Sequence, residues 1–473
     1  MSKKKVCIMG DNLNYTTGNA RVIKELSRGL AKLPFYDVSH IAIGPDDIEQ
    51  KEKGVKFLPV QEGGFDDASV FKFLEKISQY IKREKFDYII ILGDAINYQK
   101  RGIGNLNMKH LSPKTKVIFW ETVDSNSRLC MEQGYCLRNA RSEIYGICDK
   151  VVATAHYGKD VLEAEMVKVD KVIWEFADTD KFFPIDKKKR DEIRKEYRLK
   201  TDDFILLMVG RNIRRKNNEL AFRALYPLML KHEDLKVFCL IPDFRRDDDN
   251  DLVDYIKRVL TKKYGRDLME EGQIIFCTSD GKTPIRLMEG VTDNEIVRFH
   301  QLSDAFISAT SNEGFNLNYG EALAVGHPYV GIANTTLPEL SEDGKFAYMA
   351  PIDFEFNVGS GIEISTCKHD TLTKYIEMCY EDWNLKYSKQ NELIKLKADL
   401  FRQKLLKVPE EEIRETELKI TNHKADKTLE QTAKIKSKQG EKEALVKHIQ
   451  DTMTRGKCIA EWHKFLKSID EGK

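Results

Sequence analysis

Two successive series of short apolar runs, each alternating with segments of helical spacing, constrain this chain more than any other feature of its sequence. Residues 4–9 (Lys-Lys-Val-Cys-Ile-Met) read as a buried strand and Gly10 to Gly18 as a polar loop. Asn19 to Leu33 then carries Val22, Leu26, Leu30 and Leu33 at helical intervals. Strand, glycine-bearing loop and helix open a Rossmann-like βαβ unit. The pattern recurs: residues 38–43, 88–92, 116–120 and 150–153 are strand candidates, and 70–81 is a helix. Such alternation predicts a mostly parallel sheet covered on both faces, because parallel strands need long crossover connections. Residues 171–185 read as a last strand and a linker, and Pro184 precedes a charged helix over 187–197. The alternation then restarts, with strand candidates at 204–209, 235–241, 273–276, 305–308 and 329–332. The expected fold class is α/β: two Rossmann-like domains, over 1–183 and 184–385.

The length of 473 residues accommodates this, at roughly 150 residues per domain. With 77 Lys+Arg against 76 Asp+Glu, the net charge of +1 excludes a basic surface over the whole chain. Residues 386–449 break the pattern. From 386 to 447 the text is rich in Lys, Glu and Gln, with Pro409 its only proline, and no aromatic residue lies between Phe401 and Trp462. This reads as a charged helical insertion, most simply a solvated face; the alternatives are contact with a partner, an anionic acceptor, a membrane surface or a second copy of the chain. Residues 450–473 recover an amphipathic helix through Ile459, Trp462, Phe465, Leu466 and Ile469. The 9 cysteines are odd in number and form no Cys-x-x-Cys pair; several lie in apolar runs. They predict reduced, mostly buried thiols and a cytoplasmic location. The first apolar stretch is too short for a signal peptide, and no apolar run is long enough to span a membrane.

Chemistry concentrates in residues 303–328, which run Ser-Asp-Ala-Phe-Ile-Ser-Ala-Thr-Ser-Asn-Glu-Gly-Phe-Asn-Leu-Asn-Tyr-Gly-Glu-Ala-Leu-Ala-Val-Gly-His-Pro. The string reads as a strand, a loop, and a helix beginning near Asn318. Glu313 falls on the loop and Glu321 in the first turns of the helix. Carboxylates accept hydrogen bonds from sugar or ribose hydroxyls. The amides of Gly314, Phe315 and Asn316 lie at a strand's C-terminal end, where open α/β sheets bind ligands. Residues 207–217 (Leu-Met-Val-Gly-Arg-Asn-Ile-Arg-Arg-Lys-Asn) add Gly210, Arg211 and Lys216 directly after a strand. Ordinary readings compete with these. The two glutamates suit any helix start, and Arg211 and Lys216 also fit a solvated basic turn beside Arg214 and Arg215.

The flanking strings nonetheless resemble the retaining glycosyltransferases of family 4, the "glycosyl transferases group 1" type. They have the GT-B fold, two Rossmann-like domains facing across a cleft. The resemblance also takes in Tyr15 to Arg21, Val151 to Lys159, Asp178 to Pro184, Leu337 to Leu340 and the tryptophan-bearing last helix. It implies a nucleotide-diphosphate sugar as donor, held by Gly210, Arg211, Lys216, Glu313, Gly314, Phe315, Asn316, Leu317 and Glu321. Arg211, Lys216 and Glu313 would be the catalytic residues: the cations stabilise the departing diphosphate, Glu313 binds the sugar, and Glu321 takes the nucleotide ribose. Gly18, Asn19 and His156 would lie on the acceptor or phosphate side. Retention, no cofactor and no obligatory metal are implied; the acceptor is not identified. Two positions depart from the family. Glu175-Phe176 stands where His-Gly is common, and Thr122-Val123-Asp124 lacks a histidine that often follows that strand.

Other readings remain open. A catalytically inactive GT-B chain would serve as a scaffold or binding subunit, and a related phosphorylase or synthase would depend on inorganic phosphate. The acidic run Asp247-Asp248-Asp249-Asn250-Asp251 reads as a solvated loop, since Leu252 stands where a calcium loop needs glycine. No zinc, phosphate-loop or nucleophile-elbow motif is present.

Overall fold

The computed structural model describes residues 2–12, 17–44, 50–61, 67–124, 137–241, 251–276, 292–357, 363–384, 414, 415, 417 and 442–472. The acidic run at 247–250 and most of the charged stretch 386–449 lie outside them.

The first domain is built on an eight-stranded sheet, ordered β3-β4-β2-β1-β5-β6-β7-β8. Its strands are β1 (Lys4–Asp11), β2 (Tyr36–Gly44), β3 (Gln50–Glu52), β4 (Val55–Gln61), β5 (Tyr88–Gly93), β6 (Lys116–Glu121), β7 (Lys150–Ala153) and β8 (Lys171–Val172). All neighbours pair in parallel except β3 with β4. Val6, Cys7, Ile8 and Met9 of β1 are wholly buried, as expected of a strand covered on both faces. The strand β4 does not announce itself, because Pro59 interrupts it. Pro59 pairs with Ala42 of β2, whereas β3 covers only Val55 to Phe57. The proline therefore lies past the end of its short outer neighbour, where a missing N–H costs no ladder bond.

The second domain carries a parallel six-stranded sheet, ordered β11-β10-β9-β12-β13-β14. These strands are β9 (Phe204–Val209), β10 (Leu235–Leu240), β11 (Ile274–Phe276), β12 (Ala305–Ser308), β13 (Tyr329–Ile332) and β14 (Ala347–Ala350). A hairpin of β15 (Phe354–Asn357) and β16 (Glu363–Thr366) comes after them. In each sheet the strand order reverses beside the first strand: between β1 and β5 in one, between β9 and β12 in the other. Loops diverge at such switch points and leave a crevice at the strands' C-terminal ends.

The chain end ties the domains together. The helix over 442–452 buries Leu445 and Ile449 in the second domain's core, with Met453 just after it. Thr454 then caps the helix Arg455–Asp470, accepting from the Lys457 amide at 3.2 Å. That helix buries Cys458, Trp462, Phe465 and Leu466 in the first domain's core. Trp462 meets Trp120 edge to face, centroids 5.2 Å apart. The same helix lies against the helix Gly18–Ala31 so closely that a Cβ on Gly29 would collide with Ile459. Among the described residues the cysteines are unpaired thiols, all buried but Cys148. No described helix is long and apolar enough to cross a membrane.

Trp462→Ala removes a wholly buried indole from the first domain's core. We expect a loss of about 3–5 kcal/mol in urea unfolding, with loss of near-ultraviolet dichroism from the Trp pair.

Candidate functional site

The loops after β9 and β12 meet at the second sheet's switch point. After β9 the chain passes Gly210, at a φ of +147° that favours glycine, into a one-turn helix over Arg214–Lys216. Asn217, left-handed at φ 50°, ends the turn and starts the next helix. The turn is fastened to the other loop by its backbone: the Ser311 amide donates to the Arg215 carbonyl at 2.7 Å. This brings two cations onto one carboxylate. Arg215 Nη1 donates to Glu313 Oε2 at 2.8 Å, and Lys216 Nζ pairs with Glu313 Oε1. The Thr310 hydroxyl donates to the same Oε1 at 2.9 Å. The Glu313 amide donates to Thr335 Oγ1 at 3.1 Å, and its carbonyl accepts from Thr336 Oγ1 at 3.2 Å. Glu313 is only 4% exposed. Burial would raise its carboxyl, yet Lys216 and Arg215 hold it down at about 2. Burial also draws the Lys216 ammonium below its usual value, against the pull of Glu313.

The next residues line the seam between the domains. A Cβ on Gly314 would collide with Thr122 and stand 2.8 Å from Asp124 Oδ1, so only glycine lets the two walls approach this closely. Phe315 is buried and faces Trp174 of the first domain edge to face at 6.5 Å. Asn316, left-handed at φ 66°, caps the helix Leu317–Ala324 by accepting from the Tyr319 amide at 3.2 Å. Leu317 touches the cores of both domains, and a Cβ on Gly18 would come within 3.1 Å of it. Glu321, 1% exposed, forms an ion pair with Arg21 of the helix Gly18–Ala31. Its other oxygen is 3.7 Å from His300 Nε2, and burial together with His327 and Arg21 keeps that imidazole neutral.

Of the residues singled out in the sequence, Lys216 and Glu313 are in contact. Gly314, Phe315, Asn316 and Leu317 form the adjoining seam. Glu321 and Gly18 meet their counterparts across it. Arg211 is exposed and, among the described residues, makes no ion pair. Asn19 is half-buried and His156 exposed at the start of the helix His156–Ala164. There the amides of His156 and Tyr157 donate to the carboxylate of Glu339 at 2.9 and 3.0 Å. Sequence reasoning misses the parts played by Arg215, Arg21, Asp124 and Glu339. Arg215 is hidden by its basic neighbours, although its place beside Lys216 is on view. Arg21 closes the string that begins at Tyr15.

Glu175, one of the two departures from the family pattern, is 3% exposed. Burial and the charge of Asp124 push its carboxyl up to about 8. The unfolded chain ionises this group near 4.5, whereas the folded chain keeps its proton to about 8. Stability from this group therefore falls between those values as pH rises, and is flat beyond them. Glu175→Gln keeps the shape and removes the titration. We expect it to raise Tm at pH 8 and to leave Tm near wild type at pH 4.5, read by calorimetry across that range.

No family model and no curated protein sequence matches the chain. Solved structures do resemble it. Sucrose-phosphate synthase from Thermosynechococcus elongatus is 12% identical, with all of both chains covered and a TM-score of 0.66. A glycosyltransferase from Rickettsia africae is 15% identical over all of both chains, with a TM-score of 0.64. HepE from Anabaena, solved in complex with UDP and glucose, is 11% identical over 98% of this chain and 100% of its own, with a TM-score of 0.58. At these identities the likeness shows the fold, the two-domain GT-B arrangement.

Proposed function

We propose that this chain is a retaining glycosyltransferase that moves a sugar from a nucleotide-diphosphate donor to an acceptor hydroxyl or amine. The observation that carries the reading is the convergence of Lys216 and Arg215 on Glu313 at the mouth of the second domain's switch point. Three structural relatives act on or are named for sugars, and HepE was solved with UDP and glucose, so a uridine diphosphate sugar is the first donor class to test.

In this reading the donor's diphosphate takes the cations that Glu313 now holds, and Glu313 turns its acceptor oxygens to the sugar's hydroxyls. Leaving-group charge builds on the diphosphate as the glycosidic bond breaks. Fixed cations in a water-poor seam stabilise that charge more in the transition state than in the ground state. Arg215 grips phosphate in two directions, Lys216 acts as a point charge, and exposed Arg211 can join once the nucleotide is bound. Because these side chains supply the positive charge, no metal is required. The amides from Gly314 to Leu317 add fixed dipoles at the helix start. Glu321 accepts hydrogen bonds from the ribose. The acceptor enters over the first domain's wall, past Thr122 and Asp124, and attacks the face the leaving group departs from. The acceptor's oxygen or nitrogen bonds to the anomeric carbon, the bond to the diphosphate breaks, and the nucleophile's proton passes to the leaving phosphate oxygen.

A panel of nucleotide sugars in a thermal-shift screen identifies the donor, since a ligand at 100 times its Kd adds about 2.7 kcal/mol of stability. Lys216→Ala and Arg215→Ala should each lower kcat/KM by about a hundredfold or more; each also takes a cation from buried Glu313 and so lowers Tm, and kinetics are read at a temperature where circular dichroism shows the variant folded. Arg211→Ala, tested alongside, should cost less than Arg215→Ala. The anomeric configuration of the product, read by NMR, checks retention. A chain that neither binds nor hydrolyses any donor is instead a scaffold.

A further inference from the structure

Glu321 is a carboxylate with almost no access to water, and its cation comes from the other domain. The two partners are unequal. The Glu321 side chain is 1% exposed on the helix Leu317–Ala324, whereas that of Arg21 is 28% exposed on the first turn of its helix. Arg21 has the greater access to water of the two. Glu321 has little, and an uncompensated buried carboxylate is expensive. Its second oxygen has no hydrogen-bond partner within reach, and His300 beside it is neutral. Opening the seam without a ligand would therefore strip the carboxylate of its cation.

We infer that Arg21 is a placeholder for the donor: it competes for Glu321, ties the two domains together there, and is displaced by the ribose diol. The inference rests on the reading of Glu321 as the ribose-binding carboxylate. A diol offers two O–H donors to one carboxylate, which replaces the guanidinium without leaving the carboxylate bare. Three other links cross the seam and act in the same sense. Arg215 Nε lies 3.8 Å from Asp124, Glu339 caps the helix His156–Ala164, and the Thr154 hydroxyl donates to the Gly314 carbonyl at 3.5 Å. A nucleotide that takes Glu321 must therefore break the Arg21 contact. A contact that competes with the ligand lowers apparent affinity by the fraction of molecules that are free of it.

The test uses the full chain with UDP, GDP and ADP as probes. In Arg21→Ala and Arg21→Gln the nucleotide that wild type binds should bind about tenfold tighter by calorimetric titration, because the competing contact is gone. In Arg21→Glu the like charges should part the domains, so that small-angle scattering of the ligand-free protein gives a larger radius of gyration than wild type. Unchanged or weaker nucleotide binding in both neutral variants, with no change of scattering in Arg21→Glu, overturns the placeholder and leaves the donor reading standing. Wild type that binds none of the three nucleotides, with Arg21→Glu still opening, overturns the donor reading and leaves the domain contact standing.

Discussion

Charge burial governs this molecule's cleft. Glu313 and Glu321 are among the least exposed acidic residues of the second domain, at 4% and 1%. A carboxylate at that depth persists as an anion only with cations or several donors against it. Glu313 is served from its own domain by Lys216, Arg215 and Thr310. Glu321 is served from the opposite domain by Arg21. The first arrangement fixes the geometry within the second domain, and the second ties that domain to the first. The strand order, the glycine at 314 and the left-handed Asn316 all serve to bring these charges within reach of one another.

Much of this is legible from the residues, because strand and helix periodicity are local. The runs at 4–9, 116–120, 150–153, 204–209 and 305–308 are β1, β6, β7, β9 and β12 nearly to the residue. What stays hidden is set by neighbours distant in sequence. Pro59 argues against a strand until one knows that β3 stops short of it. The hairpin β15–β16 has strands of only four residues, and although Phe354-Glu355-Phe356-Asn357 alternates, its two aromatic rings stay exposed, so the alternation marks no buried face.

The site divides the same way. Glu313 and Lys216 can be named because their surrounding strings are distinctive, and they do touch. Arg215 cannot be told from Arg214 by sequence: both belong to the same turn, and only the fold shows which guanidinium points at Glu313. Arg21 ends the string that starts at Tyr15, yet its partner is about 300 residues away in sequence, and no spacing rule links them. Glu175 is visible only as a departure from the family pattern. Its depth behind Asp124 explains why a residue that is normally charged stays protonated near neutral pH.

The contacts between the domains fall into two kinds, and their placement decides what can move. On one side they are apolar and permanent. The chain leaves the first core at Phe176, enters the second at Ala177, and pairs there with Thr454, where the returning chain crosses back. The Ala177 amide donates to the Met453 carbonyl at 3.0 Å, and Trp462 anchors the last helix in the first core. On the other side, across the seam from Gly18 to Glu339, ionic and polar links stand beside the contacts of Phe315 with Trp174 and of Leu317 with both cores. Apolar burial has no substitute in solvent, whereas an ion pair at a rim exchanges for hydration at small cost. The double crossing near Ala177 and Thr454 is therefore the natural axis for a rotation of one domain against the other. Such a rotation opens the seam that holds Glu313, Glu321 and Asp124, and its cost is the contact of Leu317 with the first core.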